Sequence, residues 1–450
     1  MATLNYPSIS RERGVRFWMN PKNIWYARRD FMRADHSNEK REMWRAQVTA
    51  ATYSKDVNDV LSARQKVAGD GYRFIVIGDT GEGDKSQYSL IPLIKSLNAD
   101  FMIINGDVAY PAGRLDYGDT EQSDYHKGLF EPYAKLGIPI WATPGNHEFY
   151  SGGEGQEFFD VFCTNTHEAL WHKYGLPFND QTRQPMSYWE ITDVANKFSV
   201  LGLDTGKAAN LDGEKPWWQF WSSRPADNAQ VQWLRERLTA NEAGGVATLV
   251  MFHIPALVNS KVDVTSLKNL HQALTPFTCV RGVIASHIHN MQVYSSQTWN
   301  RFLHDYAGAA SANPDLSYIV AGAGGASLMH TDFAQINYPT SAMFPSAAQW
   351  MDFKNAAQRI VGKMGLGTTV LGLVSSDLLD AFYDTDPGMY LSLLVVDVSA
   401  AGITCTPHWL QNIDDLYHPT TTVDIGANAP PPNAAAVAAC EQKGLAIHLK

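Results

Sequence analysis

The chain has 450 residues and a formal net charge of -10, with 45% hydrophobic and 18% charged residues. This length and balance suit one large domain with additions, or two domains that bury a core, and they exclude a chain that is disordered throughout. The negative charge also argues against a surface that binds nucleic acid.

No segment has the features of a membrane anchor or of an export signal. The first residues lack an unbroken apolar stretch behind their basic side chains. No apolar run approaches the length needed to cross a bilayer. The sequence therefore predicts no membrane span, and it favours a cytoplasmic over an exported protein without fixing the location.

The first seventy residues are polar and charged, with aromatic side chains scattered among them. Within residues 57–67, apolar side chains at Val57, Val60, Leu61 and Val67 fit one face of a helix. We therefore expect residues 1–70 to form a mainly helical N-terminal extension that packs on the body of the protein.

Strand-like and helix-like segments alternate from Tyr72 onward. We interpret residues 72–77, 101–104 and 138–142 as strands and residues 88–97 as a helix. This alternation is typical of an α/β layer structure, in which ligands bind in loops at the carboxyl ends of strands.

The later segments extend the same pattern. Further strands are predicted at residues 198–203, 247–252, 282–285 and 318–321, a helix at 230–238, and a hairpin from 389–398 and 402–408. We assign residues 71–410 to one domain, with an aromatic-rich insertion at 150–235 and a segment at 330–390 that can be interpreted as a lid or helical cap. Residues 411–450 are a C-terminal tail, whose stretch 427–436 resembles a linker.

Four widely spaced cysteines form no CxxC pair, so a thiolate zinc site is not expected. They are Cys163, Cys279, Cys405 and Cys440. We expect them to be mostly reduced and buried, and a Cys405–Cys440 disulfide is the alternative for an exported protein.

Oxygen and nitrogen donors follow the predicted strands. They are Asp79, Asp107, Tyr110, Asn146, His253, His287 and His289. Mixed imidazole and carboxylate donors suit iron, zinc or manganese rather than calcium. Seven donors are too many for one ion with an open position, but they suit two ions that share a bridging carboxylate and clamp a phosphoryl group. Taken singly, each residue also fits a turn, a helix cap or a packed strand.

The order of these residues resembles the purple acid phosphatases, a group within the calcineurin-like metallophosphoesterases. Five blocks carry the resemblance. They are Gly78-Asp79-Thr80-Gly81, Gly106-Asp107-Val108-Ala109-Tyr110, Gly145-Asn146-His147-Glu148, Val250-Met251-Phe252-His253 and Ser286-His287-Ile288-His289. The resemblance covers residues 72–325 by motif. It implies a four-layer αββα sandwich with two mixed β-sheets, and residues 71–410 would be its catalytic domain.

The resemblance also implies a role for each residue. Asp79, Tyr110 and His289 would bind iron(III). Asn146, His253 and His287 would bind a second ion, iron(II), zinc or manganese. Asp107 would bridge the two ions. His147 would be catalytic, steadying the phosphoryl oxygens or protonating the leaving alkoxide, and Glu148 would orient a neighbouring histidine.

Two positions distinguish this chain from relatives. Many metallophosphoesterases have a histidine ligand where this chain has Gly81, and the resemblance implies that Tyr110 replaces it as a phenolate that favours iron(III). Ser286 stands where the family has glycine. It costs backbone strain if that position needs a positive φ and is harmless if it does not.

The function implied is hydrolysis of small-molecule phosphomonoesters by a metal-bound hydroxide at a dinuclear centre. Three alternatives stay open. One is a phosphodiesterase or nucleotide hydrolase, for which the cluster Trp217, Trp218 and Trp221 would floor a wider pocket. Another is a non-catalytic binding protein that keeps the fold, and the last is redox chemistry at a di-iron pair. The oligomeric state is not determined by the sequence.

Overall fold

The computed structural model describes most of the body of the chain. The described residues are 2–3, 21, 25, 37–48, 52–80, 83, 85–115, 123–205, 227–255, 257–258, 261–262, 269, 272–287, 289, 291–294, 296, 299–300, 304, 313–326, 391–410, 424–425 and 447–449. The predicted cap at 330–390, the Trp217–Trp221 cluster, the 427–436 linker and Cys440 lie outside these residues.

Thirteen strands of three or more residues lie in this part of the chain. In chain order they are β1 Ser54–Asp56, β2 Tyr72–Ile77, β3 Phe101–Asn105, β4 Ile140–Thr143, β5 Trp189–Asp193, β6 Phe198–Gly202, β7 Ala247–Met251, β8 Val280–Ala285, β9 Met291–Tyr294, β10 Ser317–Ala321, β11 Leu391–Ser399, β12 Gly402–Leu410 and β13 Ile447–Leu449. Two-residue ladders join Ala2–Thr3 to Asp424–Ile425 and Leu257–Val258 to Lys261–Val262.

Six α-helices lie in the part of the chain that the structure describes. They are α1 Ser37–Gln47, α2 Val57–Leu61, α3 Lys85–Ser96, α4 Gln156–Phe162, α5 Glu168–Lys173 and α6 Asn228–Gly244. A π-helical turn, His126–Phe130, lies between α3 and α4.

The strands form two mixed sheets. The six-stranded sheet has the order β13-β12-β11-β2-β3-β4, in which β2, β3 and β4 are parallel and the pairs β11–β2, β11–β12 and β12–β13 are antiparallel. The seven-stranded sheet has the order β9-β10-β8-β7-β6-β5-β1, with antiparallel pairs only at β9–β10 and β5–β6. The parallel strands of each sheet therefore end at one common edge.

Alternation of side chains along the strands builds the interior. In β2, Phe74 and Val76 are buried in one cluster with apolar residues of both sheets, which places them between the sheets. Ile75 and Ile77 point the other way and pack in a second cluster that includes Leu90 of α3. Successive residues of a strand face opposite sides, so one apolar run supplies two buried layers.

Helices cover the outer faces of the sheets. Leu234 and Leu238 of α6 are buried in the same cluster as Val250 of β7. The α6 helix begins after Asp227, whose carboxylate accepts the Gln230 N–H at 3.2 Å, and ends before Gly245. Two facing sheets with helices outside them confirm the predicted αββα sandwich.

Among its described residues, the N-terminal extension is helical, as expected, but it also contributes a strand. β1 pairs in parallel with β5 at the edge of the seven-stranded sheet. The helix predicted over residues 57–67 is shorter: α2 ends at Leu61, a 3₁₀ turn follows, and Gln65 has φ of 53°. This left-handed residue ends the helical path, which leaves Val67 extended and 54% exposed. The domain boundary at residue 70 stays a prediction.

The other predicted elements agree with the structure to within a few residues, including the hairpin of β11 and β12, except that the helix predicted at 230–238 continues to Gly244. The strand β5 inside the aromatic-rich insertion was not predicted. Cys163, Cys279 and Cys405 are buried free thiols. Among the described residues, no helix has the length and apolar character to span a membrane.

The packing between the sheets predicts a large effect for one aromatic side chain. Phe74 is fully buried, and its ring stacks on Phe101 at a centroid distance of 4.9 Å. We expect Phe74→Ala to lower the free energy of unfolding by about 3–5 kcal/mol, because it removes buried area and leaves a cavity. Urea denaturation measures this. The control Val194→Ala changes a side chain that is 80% exposed. Equal urea denaturation midpoints for Phe74→Ala and Val194→Ala would contradict this packing.

Candidate functional site

The parallel strands of the six-stranded sheet bring three predicted site residues to one edge. Asp79, Asp107 and Asn146 each follow the end of one of the neighbouring strands β2, β3 and β4. The loops are joined directly, since the Asp79 N–H donates to the Gly106 carbonyl at 3.1 Å. Carboxyl ends of adjacent parallel strands meet at the same edge, so residues distant in sequence become neighbours.

The seven-stranded sheet delivers the histidines to the same place. His253 and His287 follow the parallel strands β7 and β8. The Ser286 N–H donates to the His253 carbonyl at 2.8 Å, and the Gly78 N–H donates to the Ala321 carbonyl at 2.9 Å. The second of these bonds connects the loops of the two sheets, so both sets of strand ends border one site.

A first group of donors consists of Asp79, Asp107 and His289. One ligand atom from each lies within 4.8 Å of the others. The Tyr110 hydroxyl lies among them, 3.3 Å from Asp79 Oδ1, 3.2 Å from Asp107 Oδ2 and 3.2 Å from His289 Nε2. Four side chains that the sequence singled out therefore converge on one point.

A second group consists of Asp107, His253 and His287, again within 4.8 Å. The Oδ1 atom of Asn146 lies 3.1 Å from His253 Nε2. The Nδ1 atom of His287 is buried, and no described residue provides it with a hydrogen-bond partner. Asp107 belongs to both groups, which is the arrangement expected of a carboxylate that bridges two ions.

The backbone of the site is held in unusual conformations. Asp79, Asp107 and His287 have positive φ values of 58°, 50° and 66°. Left-handed conformations in residues other than glycine are costly and cluster at functional sites. At Gly106 an added Cβ would overlap the His253 ring, and at Gly145 it would overlap Asp107. These glycines allow the loops to approach closely.

Ser286 costs no backbone strain, because it is not among the residues with positive φ, and the left-handed residue is its neighbour His287. The fully buried Ser286 hydroxyl donates to the Ala321 carbonyl and accepts from the Asn105 amide, both at 3.1 Å. The hydroxyl occupies the space beside Gly78, where an added Cβ would collide with it. The departure from the family pattern is therefore harmless to the loop.

Several residues that were not singled out hold the donors in place. The Nδ1–H of His253 donates to the Asn105 carbonyl at 3.0 Å, which directs Nε2 at Asp107 and Asn146. The Asn146 amide donates to the Tyr150 hydroxyl at 2.8 Å, which turns its Oδ1 toward His253. Such partners fix the orientation of ligands. Neither Asn105 nor Tyr150 belongs to a motif or a periodic pattern that marks it in the sequence.

Glu148 does not orient a histidine through its side chain, so that expectation is wrong. Its fully buried carboxylate accepts four backbone N–H groups. They belong to Asp107 at 3.0 Å, Val108 at 2.9 Å, Ala109 at 3.2 Å and Gly145 at 2.7 Å. The loop after β3 is therefore joined to the loop after β4. Burial, together with the nearby Asp107 carboxylate, raises the pKa of Glu148 to about 8.

His147 lies at the rim of the two donor groups. Its Nδ1 is 2.7 Å from the Pro111 carbonyl, and its Nε2 is 3.9 Å from Asp107 Oδ2. Its ring packs on Tyr110 at a centroid distance of 4.2 Å. His147 therefore faces the donors without belonging to either group, and its catalytic role stays a prediction.

The charges of the site depend on one another. Burial opposes ionisation of both Asp107 and His253, but their mutual attraction prevails. The pKa of the Asp107 carboxyl is lowered, and the pKa of His253 is raised to about 9. Burial and the neighbouring His253 lower the pKa of His287 to about 3. A neutral imidazole beside ionised carboxylates is the state in which these side chains bind cations. The donor set therefore fits two metal ions.

Glu148 provides a test of this framework. We expect Glu148→Gln to reduce the stability of the metal-free protein by about 1–3 kcal/mol, because the amide nitrogen cannot accept from a backbone N–H. Urea denaturation with chelator present measures the loss. Glu157→Gln is the matched control, since Glu157 is a largely buried carboxylate that bonds the Ser151 hydroxyl away from the donors. Metal affinity should fall only in Glu148→Gln, and equal affinities would contradict this role.

One comparison with known protein families covers the site. The family described as calcineurin-like phosphoesterase matches residues 72–291. Among solved structures, the chain is similar to GAP50, the anchor in the inner membrane complex of Plasmodium, with 13% identity and a TM-score of 0.45 over 80% of this chain and 99% of that chain. It is also similar to a dimetal phosphatase from Danio rerio, with 14% identity and a TM-score of 0.38 over 56% of this chain and 88% of that chain.

No curated protein matches the chain. At these identities and scores, neither solved structure bears on function. The family match does not depend on those structures, and it covers all eight residues that were predicted for the site. Residues 72–291 therefore match the calcineurin-like phosphoesterase family.

Proposed function

We propose that this protein hydrolyses phosphate esters, with small phosphomonoesters as the first substrate class, at a dinuclear metal centre. The residues proposed to hold the metals are Asp79, Asp107, Tyr110, Asn146, His253, His287 and His289. The observation that carries this proposal is the sharing of Asp107 by two groups of donors. A carboxylate common to two sites places two ions at the separation that clamps a phosphoryl group.

Two bound cations would supply Lewis acidity to the phosphoryl oxygens and lower the pKa of water. The side chains of this protein would fix where those cations lie. His253 and Asn146 are each oriented by a second hydrogen bond, to the Asn105 carbonyl and to the Tyr150 hydroxyl. Preorganised donors of this kind require little rearrangement during the reaction.

His147 would act on the leaving group. Its Nδ1–H is engaged by the Pro111 carbonyl, so Nε2 remains to face the donor groups. A proton on Nε2 could be given to the departing alkoxide oxygen, which removes the cost of expelling an anion. The imidazole packs against the Tyr110 ring at a centroid distance of 4.2 Å with the two planes tilted by 46°, which holds His147 at a fixed distance from the centre.

The metal identity is proposed from Tyr110. Its hydroxyl is close to three other donors in the first group. A phenolate is a hard anionic ligand, so we propose iron(III) in this group. We propose iron(II), zinc or manganese in the second group, where imidazoles predominate.

Asp107 provides the first test of hydrolysis. Purified protein reconstituted with iron and zinc should hold about two metal ions per chain and release phosphate from an aryl monoester. We expect Asp107→Asn to lower metal content by about half or more and kcat/KM by about 100-fold, since both ions lose a charged ligand. Elemental analysis and phosphate release measure these effects.

The control for Asp107→Asn is Asp193→Asn. Asp193 is also buried, but it accepts from the Tyr72 hydroxyl at 2.9 Å, away from the donor groups. The Asp193→Asn variant should keep both metal ions and the phosphatase activity. A wild-type protein with full metal content and no turnover of monoesters or diesters would instead support a non-catalytic protein. A preference above about tenfold for a bis-aryl diester, about 1.4 kcal/mol in the barrier, would replace monoesters as the substrate class.

Tyr110 gives a spectroscopic test of the metal. Iron(III) bound by a phenolate should give a broad charge-transfer band in the visible range. We expect Tyr110→Phe to lose this band, since the substitution removes only the hydroxyl. Tyr150→Phe is the matched control because Tyr150 contacts Asn146 rather than the first donor group, and it should keep the band. A colourless, active, zinc- or manganese-loaded wild type would refute iron at Tyr110 but not hydrolysis.

A further inference from the structure

The peptide group between Pro111 and Ala112 is held at both of its ends. Its carbonyl oxygen accepts from His147 Nδ1 at 2.7 Å. Its N–H donates to the Oδ2 atom of Asp124 at 3.3 Å. A carboxylate, a peptide group and an imidazole therefore form a continuous hydrogen-bonded chain that leads to His147.

Asp124 is itself fixed. It is 4% exposed, and its carboxylate accepts from the Arg114 N–H at 3.1 Å and from the Arg114 guanidinium at 2.9 and 3.1 Å. Its own N–H donates to the Arg114 carbonyl at 3.0 Å. A buried carboxylate with this many partners has little freedom to move, so it can hold the peptide in one orientation.

The turn that carries this peptide also contacts the rest of the site. The Gly113 N–H donates to the Ala109 carbonyl at 2.9 Å, and Gly113 has φ of 56°. An added Cβ at Gly113 would meet the Glu148 backbone at 2.8 Å. The turn is thus packed against the residue that follows His147, so a change in the position of the turn would also shift the imidazole ring of His147.

We infer that Asp124 is a positioning residue for His147, acting through the Pro111–Ala112 peptide. The inference rests on the proposed function of His147 in protonating the leaving group. The negative charge of Asp124 polarises the peptide and strengthens its carbonyl as an acceptor. The Nδ1–H of His147 is thereby kept on the side of Pro111, and Nε2 is kept toward the donor groups.

A different reading is that Asp124 and Arg114 only close the loop between them. The two readings predict different kinetics. Loss of a loop closure would lower stability and affect all substrates alike. Loss of His147 positioning would slow substrates that need a proton on the leaving oxygen and spare substrates whose leaving group departs as a stable anion.

The test compares Asp124→Asn with Asp100→Asn in the full-length protein. Asp100 is a matched control: it is also 4% exposed, accepts from the Arg73 N–H at 2.8 Å, and pairs with Lys66 at 2.9 Å. It precedes β3, at the opposite end of that strand from Asp107. Each variant is assayed on phenyl phosphate, a poor leaving group, and on 2,4-dinitrophenyl phosphate, a good one.

We expect Asp124→Asn to lower kcat on phenyl phosphate by about 10- to 100-fold, with less than about a threefold change on the dinitrophenyl ester. Asp100→Asn should alter both rates equally and slightly. If Asp124→Asn does not fold, Asp124→Glu is measured, and it should show the same dependence on the leaving group. Equal losses on both esters in the folded variant would overturn the inference.

A readout that does not use activity separates this inference from the proposed function. In the metal-free protein, ¹⁵N spectra of labelled histidines report which ring nitrogen of His147 carries the proton. We expect the proton on Nδ1 in the wild type and in Asp100→Asn, and a mixture of tautomers in Asp124→Asn. An inactive wild type would refute the proposed function, whereas an unchanged His147 tautomer in Asp124→Asn would refute the positioning role.

Discussion

Two carboxylates, Asp79 and Asp107, are buried side by side where the strand ends of two sheets meet, and the rest of the site depends on how their charge is balanced. Buried charges without partners are too costly to keep, so imidazoles and a phenol surround them. Without cations, His253 compensates by holding a proton, which its raised pKa reflects. Cations would replace that proton, and the same geometry that stabilises the fold therefore prepares the site to bind metal.

In the αββα architecture, this concentration of buried charge can be stabilised only at the edge of the sheets. Between the sheets, side chains such as Phe74 and Phe101 fill an apolar interior. At the carboxyl ends, the backbone leaves the sheet and presents N–H groups that can donate hydrogen bonds to negatively charged groups. Glu148 uses four of them, and so joins two loops that would otherwise be connected only through the strands.

The hydrogen-bond partners of the donors show a common principle. Asn105 directs His253, Tyr150 directs Asn146, and the Pro111 carbonyl directs His147. In each case one polar atom of the side chain is engaged by the protein, which leaves the other atom to face the site. Orientation by the surrounding protein reduces the number of arrangements that the donors can adopt, and it is needed for a centre that must hold two ions at a fixed separation.

Much of this protein is determined locally by its sequence. Apolar runs followed by Gly-Asp, Gly-Asn or His predicted the strands and candidate metal donors near their ends, because strand periodicity and the need for close backbone approach are visible in residue types. The family resemblance added the predicted role of His147. Other features were decided by tertiary structure alone. The pairing of β1 with β5, the four N–H groups on Glu148 and the contact of Asp124 with the Ala112 N–H join residues far apart along the chain or through backbone atoms. Backbone N–H groups are the same in almost every residue, so the sequence does not indicate which side chain will accept a hydrogen bond from a given N–H group.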